Sequence, residues 1–280
     1  MLSAVVATSR EVAATRSRLA KTALVAELLV VTDPAQVRTV ASWLAGRLPQ
    51  GRVGVGWRSL GDLPAPVADR PSASEASSAP DPPPSASEPL TVADVDTAMS
   101  ALAATSGRTA RHEILVDLYA WATADEQDYL SRLLLGEVRQ GSLDGVLLAA
   151  GARAADVDET LLRRAAMLAG DLPLAVQIAL TDGEDGLAEV RLQPGRPIQP
   201  MLAGSAAEVE EVIERLAGDE VALDTKVDGI RVQVHRDEQR EVRVFTRSLD
   251  DITTRVPEVV EVAAALPGGP LVLDGEAVAL

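Results

Sequence analysis

Cysteine is absent from this 280-residue chain, which excludes disulfides and thiolate metal sites and permits a reducing compartment. Lysine is nearly absent: of 26 basic residues only Lys21 and Lys226 are lysines, so arginine carries almost all the positive charge. A long hydrophobic run is also missing, and with it any membrane span. The apolar stretch from Leu2 to Ala7 is too short for a secretory signal, lacks a basic lead and is soon followed by Arg10 and Glu11. These absences together predict a soluble cytoplasmic protein without membrane partners.

Aromatic residues make up 2% of the chain, and Trp43, Trp57, Trp121, Tyr119 and Tyr129 are expected in the core or at interfaces. The two histidines, His112 in a helical stretch and His235 on the polar face of a strand, have no partner cluster nearby. Both are expected at surface or half-buried positions. The net charge of -16 opposes a nucleic-acid partner if spread evenly. Net charge sums over all faces, however, and arginines can line one groove while acids cover another.

What is present falls into two patterns. Residues 9 to 48 predict two helices, the second starting at Asp33-Pro34, where aspartate caps and proline fits the first turn. Gly51, Gly54 and Gly56 predict turns and match no phosphate loop. Residues 69 to 90, rich in proline, serine and acid, predict a disordered insert that either interrupts one domain or separates two. From Thr91 to residue 181 helix signals crowd together. Thr91 with Asp94, Thr123 with Glu126 and Asp156 with Glu159 each place a capping side chain three residues before an acid, giving five or six helices. After Pro200 one helix runs from a Ser205/Glu208 cap to about Ala217, and the period then falls to two. Ile230, Val232 and Val234 alternate with polar residues, as do Val242 and Val244. A helix over 255–266 and a strand and turn from Pro270 follow. The fold class expected is an all-α region, residues 1–196, followed by the first part of an α+β domain, residues 197–280. That second domain breaks off with a strand unfinished, which reads as a truncation.

Lys226 lies in D-T-K-V-D-G-I-R, residues 224 to 231. Asp224 and Lys226, two apart on an expected strand, face one way, Gly229 marks the turn, and Arg231 emerges on the next strand. A lysine can be driven to its neutral, nucleophilic form by neighbouring positive charge or desolvation, whereas arginine cannot. On its own K-x-D-G fits an ordinary β-turn equally well.

The wider pattern is more specific. K-V-D-G-I-R resembles motif I, K-x-D-G-x-R, of the covalent nucleotidyltransferases: DNA ligases, RNA ligases and mRNA capping enzymes. F-T-R-S-L-D-D at 245–251 and L-D-G-E at 273–276 resemble the following motifs in order, and I-Q-P-M-L-A at 198–203 resembles the lead into the ligase adenylation domain. L-L-L-G-E-V-R-Q-G-S-L-D-G-V-L-L-A-A at 133–150 resembles the helical DNA-binding domain of bacterial ATP-dependent DNA ligases.

That resemblance implies a DNA-binding domain over 1–196 and an incomplete adenylation domain over 197–280. It implies ATP and Mg²⁺ as cofactors, nicked duplex DNA as partner, and a nucleoid-associated monomer. By it Lys226 would receive AMP, with Asp224 near the adenine in place of the usual glutamate. Gly229 and Arg231 would lie by the sugar and phosphate, Arg247 would bind the nucleotide or the nick phosphate, and Glu276 would contact the ribose or a metal-bound water. Gly136, Arg139 and Gly141 would lie on the DNA backbone, with Glu137 standing where relatives often carry a basic residue. Later family motifs fall outside these 280 residues, so the chain alone is expected to adenylylate itself poorly or not at all and not to seal nicks. The alternatives are a non-catalytic DNA-binding fragment and an RNA ligase or capping enzyme, the last disfavoured by the helical region.

Overall fold

The structure, a computed structural model, describes residues 1–51, 53–67, 89–138, 143–200, 204–216, 220 and 228–278. Most of the expected insert, 69–88, therefore lies outside the described residues. Leu90, at its edge, is buried, and its carbonyl accepts the Leu2 N–H. The chain divides into two compact units: Met1–Arg163 with Leu172–Glu189, and Arg164–Asp171 with Val190–Leu280.

The first unit is helical. It contains α1 (Leu2–Ala14), α2 (Arg18–Val31), α3 (Val37–Leu44), α4 (Val92–Ala104), α5 (Arg108–Ala120), α6 (Ala124–Leu135), α7 (Leu143–Ala155), the start of α8 (Glu159–Ala169), and α9 (Leu172–Glu189). Where two helices were expected over 9–48 there are three. The chain breaks at Thr15–Ser17, and the Ser17 hydroxyl caps α2 by accepting from the Ala20 N–H. Asp33 caps as expected, over a short 3₁₀ turn that Pro34 opens.

Capping boxes start α4 at Thr91/Asp94 and α6 at Thr123/Glu126, as their spacing predicts. The third expected cap is displaced. Asp158, not Asp156, accepts from the Thr160 and Leu161 amides at 2.8 and 3.1 Å, because Asp156 is in a left-handed conformation with φ 52°. The core is largely aliphatic, with Leu2, Leu29, Met99, Leu102 and Leu130 packed alongside the aromatic Trp43, Tyr119 and Tyr129. Trp57 and Trp121 lie outside the core, 67% and 44% exposed. Gly151 allows α7 and α9 to approach closely, since a Cβ there would sit 2.7 Å from Val176.

The second unit contains the rest of α8, α10 (Val209–Arg215), β1 (Ile230–Arg236), β2 (Val242–Thr246), α11 (Pro257–Ala265) and β3 (Leu271–Ala277). Helix α10 is shorter than expected, and its N-cap is Glu208, which makes no side-chain capping bond, rather than Ser205. The three strands form an antiparallel sheet in the order β2-β1-β3. Asp274-Gly275 does not turn, contrary to the sequence reading. Both residues pair within β3, opposite Gln233 and Val232, because β1 supplies partners along its whole length. Among the described residues no helix is long and apolar enough to cross a membrane.

Candidate nucleotide-binding face

Alternation along the strands gives the sheet two different faces. On one, Val232, Val234 and Val244 pack with Ile252 and Ala263, and Val259 and Val260 of α11 close over them. Arg236 falls on this same face and is fully buried. Its guanidinium donates to the carbonyls of Ala263, Leu266 and Gly269 at 2.8, 2.6 and 2.6 Å and to Gly268 at 3.1 Å. The positive charge thus caps the negative end of the α11 dipole and the turn after it.

The opposite face carries Arg231, Gln233 and His235 of β1, Phe245 of β2, and Asp274 and Glu276 of β3. Its two halves differ. At one end Gln233 and His235 are buried under residues 195–198. At the other end Arg231, Asp274 and Glu276 are exposed. His235 thus departs from the surface or half-buried position expected of it. Its ring is fully buried, stands edge-on to Phe245 with centroids 5.2 Å apart, and accepts the Gly195 N–H at Nδ1 over 3.1 Å. Burial alone pushes its pKa below the ordinary 6.5, so the neutral ring is favoured.

The open half joins two motifs that lie 45 positions apart in sequence. Arg231 stands directly opposite Glu276 in the β1–β3 ladder. Its Nε and Nη2 donate to the two oxygens of Asp274 at 3.0 and 2.7 Å, a fork-on-fork pair in which Nη1 takes no part. That pairing holds the Asp274 carboxyl below the usual carboxylate range and raises Arg231 further. Glu276 Oε1 accepts the Gly229 N–H at 2.7 Å, tying the start of β1 to β3. Gly229 has to be glycine there, since a Cβ would lie 2.4 Å from the Ala277 carbonyl oxygen.

Arg247 is exposed on the turn that follows β2, where Thr246 and Asp250 close the loop by backbone bonds. It sits at the same end of the sheet, across β1 from β3, since Val232 pairs with Thr246. Gly136 ends α6 in a left-handed conformation, φ 69°, and its N–H returns to the Arg132 and Leu133 carbonyls. Asp224, Lys226, Arg139 and Gly141 lie outside the described residues. Asp274 was missed as a site residue by the sequence reading, although L-D-G-E contains it. Among the described residues no group of three acids or histidines could hold a metal ion.

Comparison with known proteins decides the family. Residues 1–152 match the family described as DNA ligase N terminus, and residues 200–280 match the ATP dependent DNA ligase domain. The chain belongs to the ATP-dependent DNA ligase family. A probable DNA ligase of Rhodococcus jostii is 45% identical over all of this chain and 52% of its own length. Another, of Streptomyces griseus, is 50% identical over 97% of this chain and 50% of its own length. A third, of Mycolicibacterium gilvum, is 47% identical over 97% and 50%. The chain therefore spans about half the length of these curated relatives. The ligase-domain match includes the whole sheet and both of the motifs that β1 and β3 bring together.

Proposed function

We propose that this chain carries the nucleotide-attachment part of an ATP-dependent DNA-joining reaction, with Lys226 as the residue that receives AMP. In the step proposed, the neutral Lys226 Nζ attacks the α-phosphorus of ATP. An N–P bond forms, the P–O bond to pyrophosphate breaks, and the lysine proton passes to solvent. AMP then moves to the 5′-phosphate of a nick, and the 3′-hydroxyl displaces it. Each transfer is between activated phosphates, so one difficult condensation is split into easier parts.

The observation that carries this reading is the β1–β3 register. It sets Gly229 and Arg231, three and five residues past Lys226, against Asp274 and Glu276 on one exposed polar face. Arg231 Nη1, outside the Asp274 pair, is suited to a ribose or phosphate oxygen, and the second Glu276 oxygen is suited to a hydroxyl or a metal-bound water. Asp224 would meet the base and Arg247 the nucleotide or nick phosphate. Magnesium fits this donor set only as an ion carried on the nucleotide's phosphates, with Glu276 as its one protein-side oxygen. It would withdraw charge from those phosphates.

Gly136, Arg139 and Gly141 would lie against duplex DNA, within a DNA-binding region we assign to 1–196, beside an adenylation region from 197. The enzyme would act as a monomer in the cytoplasm, on the nucleoid. On its own the 280-residue chain is expected to label weakly. α-Labelled ATP tests this reading: acid-labile protein label that disappears in Lys226→Ala supports it, and label that persists in that variant refutes it.

A further inference from the structure

The covered half of the sheet's polar face is held shut by an unusual pairing. The Gln233 carboxamide reads both backbone groups of one residue: Oε1 accepts the Ile198 N–H at 2.9 Å, and Nε2 donates to the Ile198 carbonyl at 2.5 Å. A side-chain amide thereby replaces the strand that would otherwise satisfy Ile198. Three residues earlier the Gly195 N–H donates to His235 Nδ1, which fixes the proton on Nε2, and Nε2 lies 3.3 Å from the same Gln233 oxygen. On its outer side the segment is pinned by α8. The Gln199 N–H donates to the Met167 carbonyl at 3.1 Å, and the Pro197 oxygen lies where a Cβ on Gly170 would have to go, 2.4 Å away.

We propose that Gln233 and His235 are positioning residues: they clamp residues 195–198 across the sheet as a wall of the nucleotide face, within reach of the Arg231–Asp274 pair. Three observations carry this. Gln233 is the direct cross-strand partner of Asp274, whose carboxylate holds Arg231. Arg231 and Gln233 are two residues apart on one face, about 7 Å along the strand, so the covered half begins at the next position on that face. Both clamp side chains are polar and almost wholly buried, 6% and 0% exposed, a costly arrangement that a merely structural core would fill with valine. The clamp also works in one tautomer only, since a proton on His235 Nδ1 would turn the Gly195 acceptor into a second donor.

The proposal rests on the nucleotide reading above, and the test separates the two. Amide exchange at Gly195 and Ile198 and saturable ATP binding are measured at neutral pH in the whole chain and in Gln233→Leu, His235→Asn, His235→Phe and Arg231→Ala. Gln233→Leu and His235→Phe should each speed exchange at their own contact and weaken ATP binding by about tenfold, the worth of one buried hydrogen-bonding group. His235→Asn, whose Oδ1 can still accept from Gly195, should recover most of both. His235→Phe, read at Gly195, carries the same test if Gln233→Leu fails to fold. Arg231→Ala should lose ATP binding with exchange at 195 and 198 unchanged.

Unaltered ATP affinity in a folded Gln233→Leu, or unchanged exchange at Ile198, overturns the proposal. Absence of ATP binding in the unsubstituted chain overturns the nucleotide reading and with it the positioning role. Exchange then still decides whether the clamp exists.

Discussion

Replacing Arg236 with methionine should be the most destabilising single change in the second unit. Methionine nearly matches the buried stem but removes every donor. Arg236 is fully buried and bonds carbonyls from Ala263 to Gly269, where α11 ends. Arg240 already shares three of them, donating to Ala264 at 2.6 Å, to Leu266 at 3.2 Å and to Gly268 at 3.2 Å. Losing Arg236 therefore orphans chiefly the carbonyls of Ala263 and Gly269. At about 1–3 kcal/mol for each buried polar group left unpaired, the cost is about 4 kcal/mol. That is a large part of the roughly 5–15 kcal/mol that holds a domain folded. For a unit of this size it lowers Tm by about 15–25 °C. Arg240→Ala, a change at an exposed residue that leaves Arg236 in place, should cost under about 1 kcal/mol. Scanning calorimetry and urea melts of the two variants check this. A Tm for Arg236→Met within a few degrees of the parent would refute the idea that a buried cation caps α11.

Gly170→Ala should destabilise the same unit by about 3 kcal/mol in a urea melt, because φ of 63° is strained for alanine and its Cβ would meet the Pro197 oxygen. Asp274→Asn should leave Tm within about 2 °C, since the Arg231 pair is exposed, yet weaken ATP binding by freeing the guanidinium to rotate. Equal affinity in a titration would remove Asp274 from the site. His235, depressed below 6.5 in the folded chain, contributes stability that is complete above pH 6.5 and falls as pH drops below it. Groups facing it are Gln233, Phe245, the Gly195 amide and Arg243, its direct partner on β2. His235→Asn should flatten that slope in melts taken from pH 8 to 5.

Local rules made much of this fold legible. Thr91 and Thr123 act through their own turns, and the alternation of Val232, Val234 and Val244 depends only on strand period, so both were readable without tertiary information. The misplaced features of the sheet each depend on a distant partner. Asp274-Gly275 reads as a turn until β1 lies beside it. His235 reads as a surface or half-buried residue because nothing near it in sequence announces that residues 195–198 will cover that end of the sheet. Arg236 breaks the V-x-V pattern on the apolar face, a signal that a buried partner must exist, though not that the partner is a helix end. Of the site, Gly229, Arg231 and Glu276 were identified from motif order and do meet in space. Asp274 required the fork geometry to be seen.

The measurement that most directly tests the central claim is peptide mapping of the chain after incubation with α-labelled ATP and magnesium, beside Lys226→Ala and Lys226→Arg. Weak, acid-labile label confined to the peptide containing Lys226, and absent from both variants, is the predicted result. Label on any other residue, label that survives either substitution, or no label together with no saturable ATP binding would contradict it.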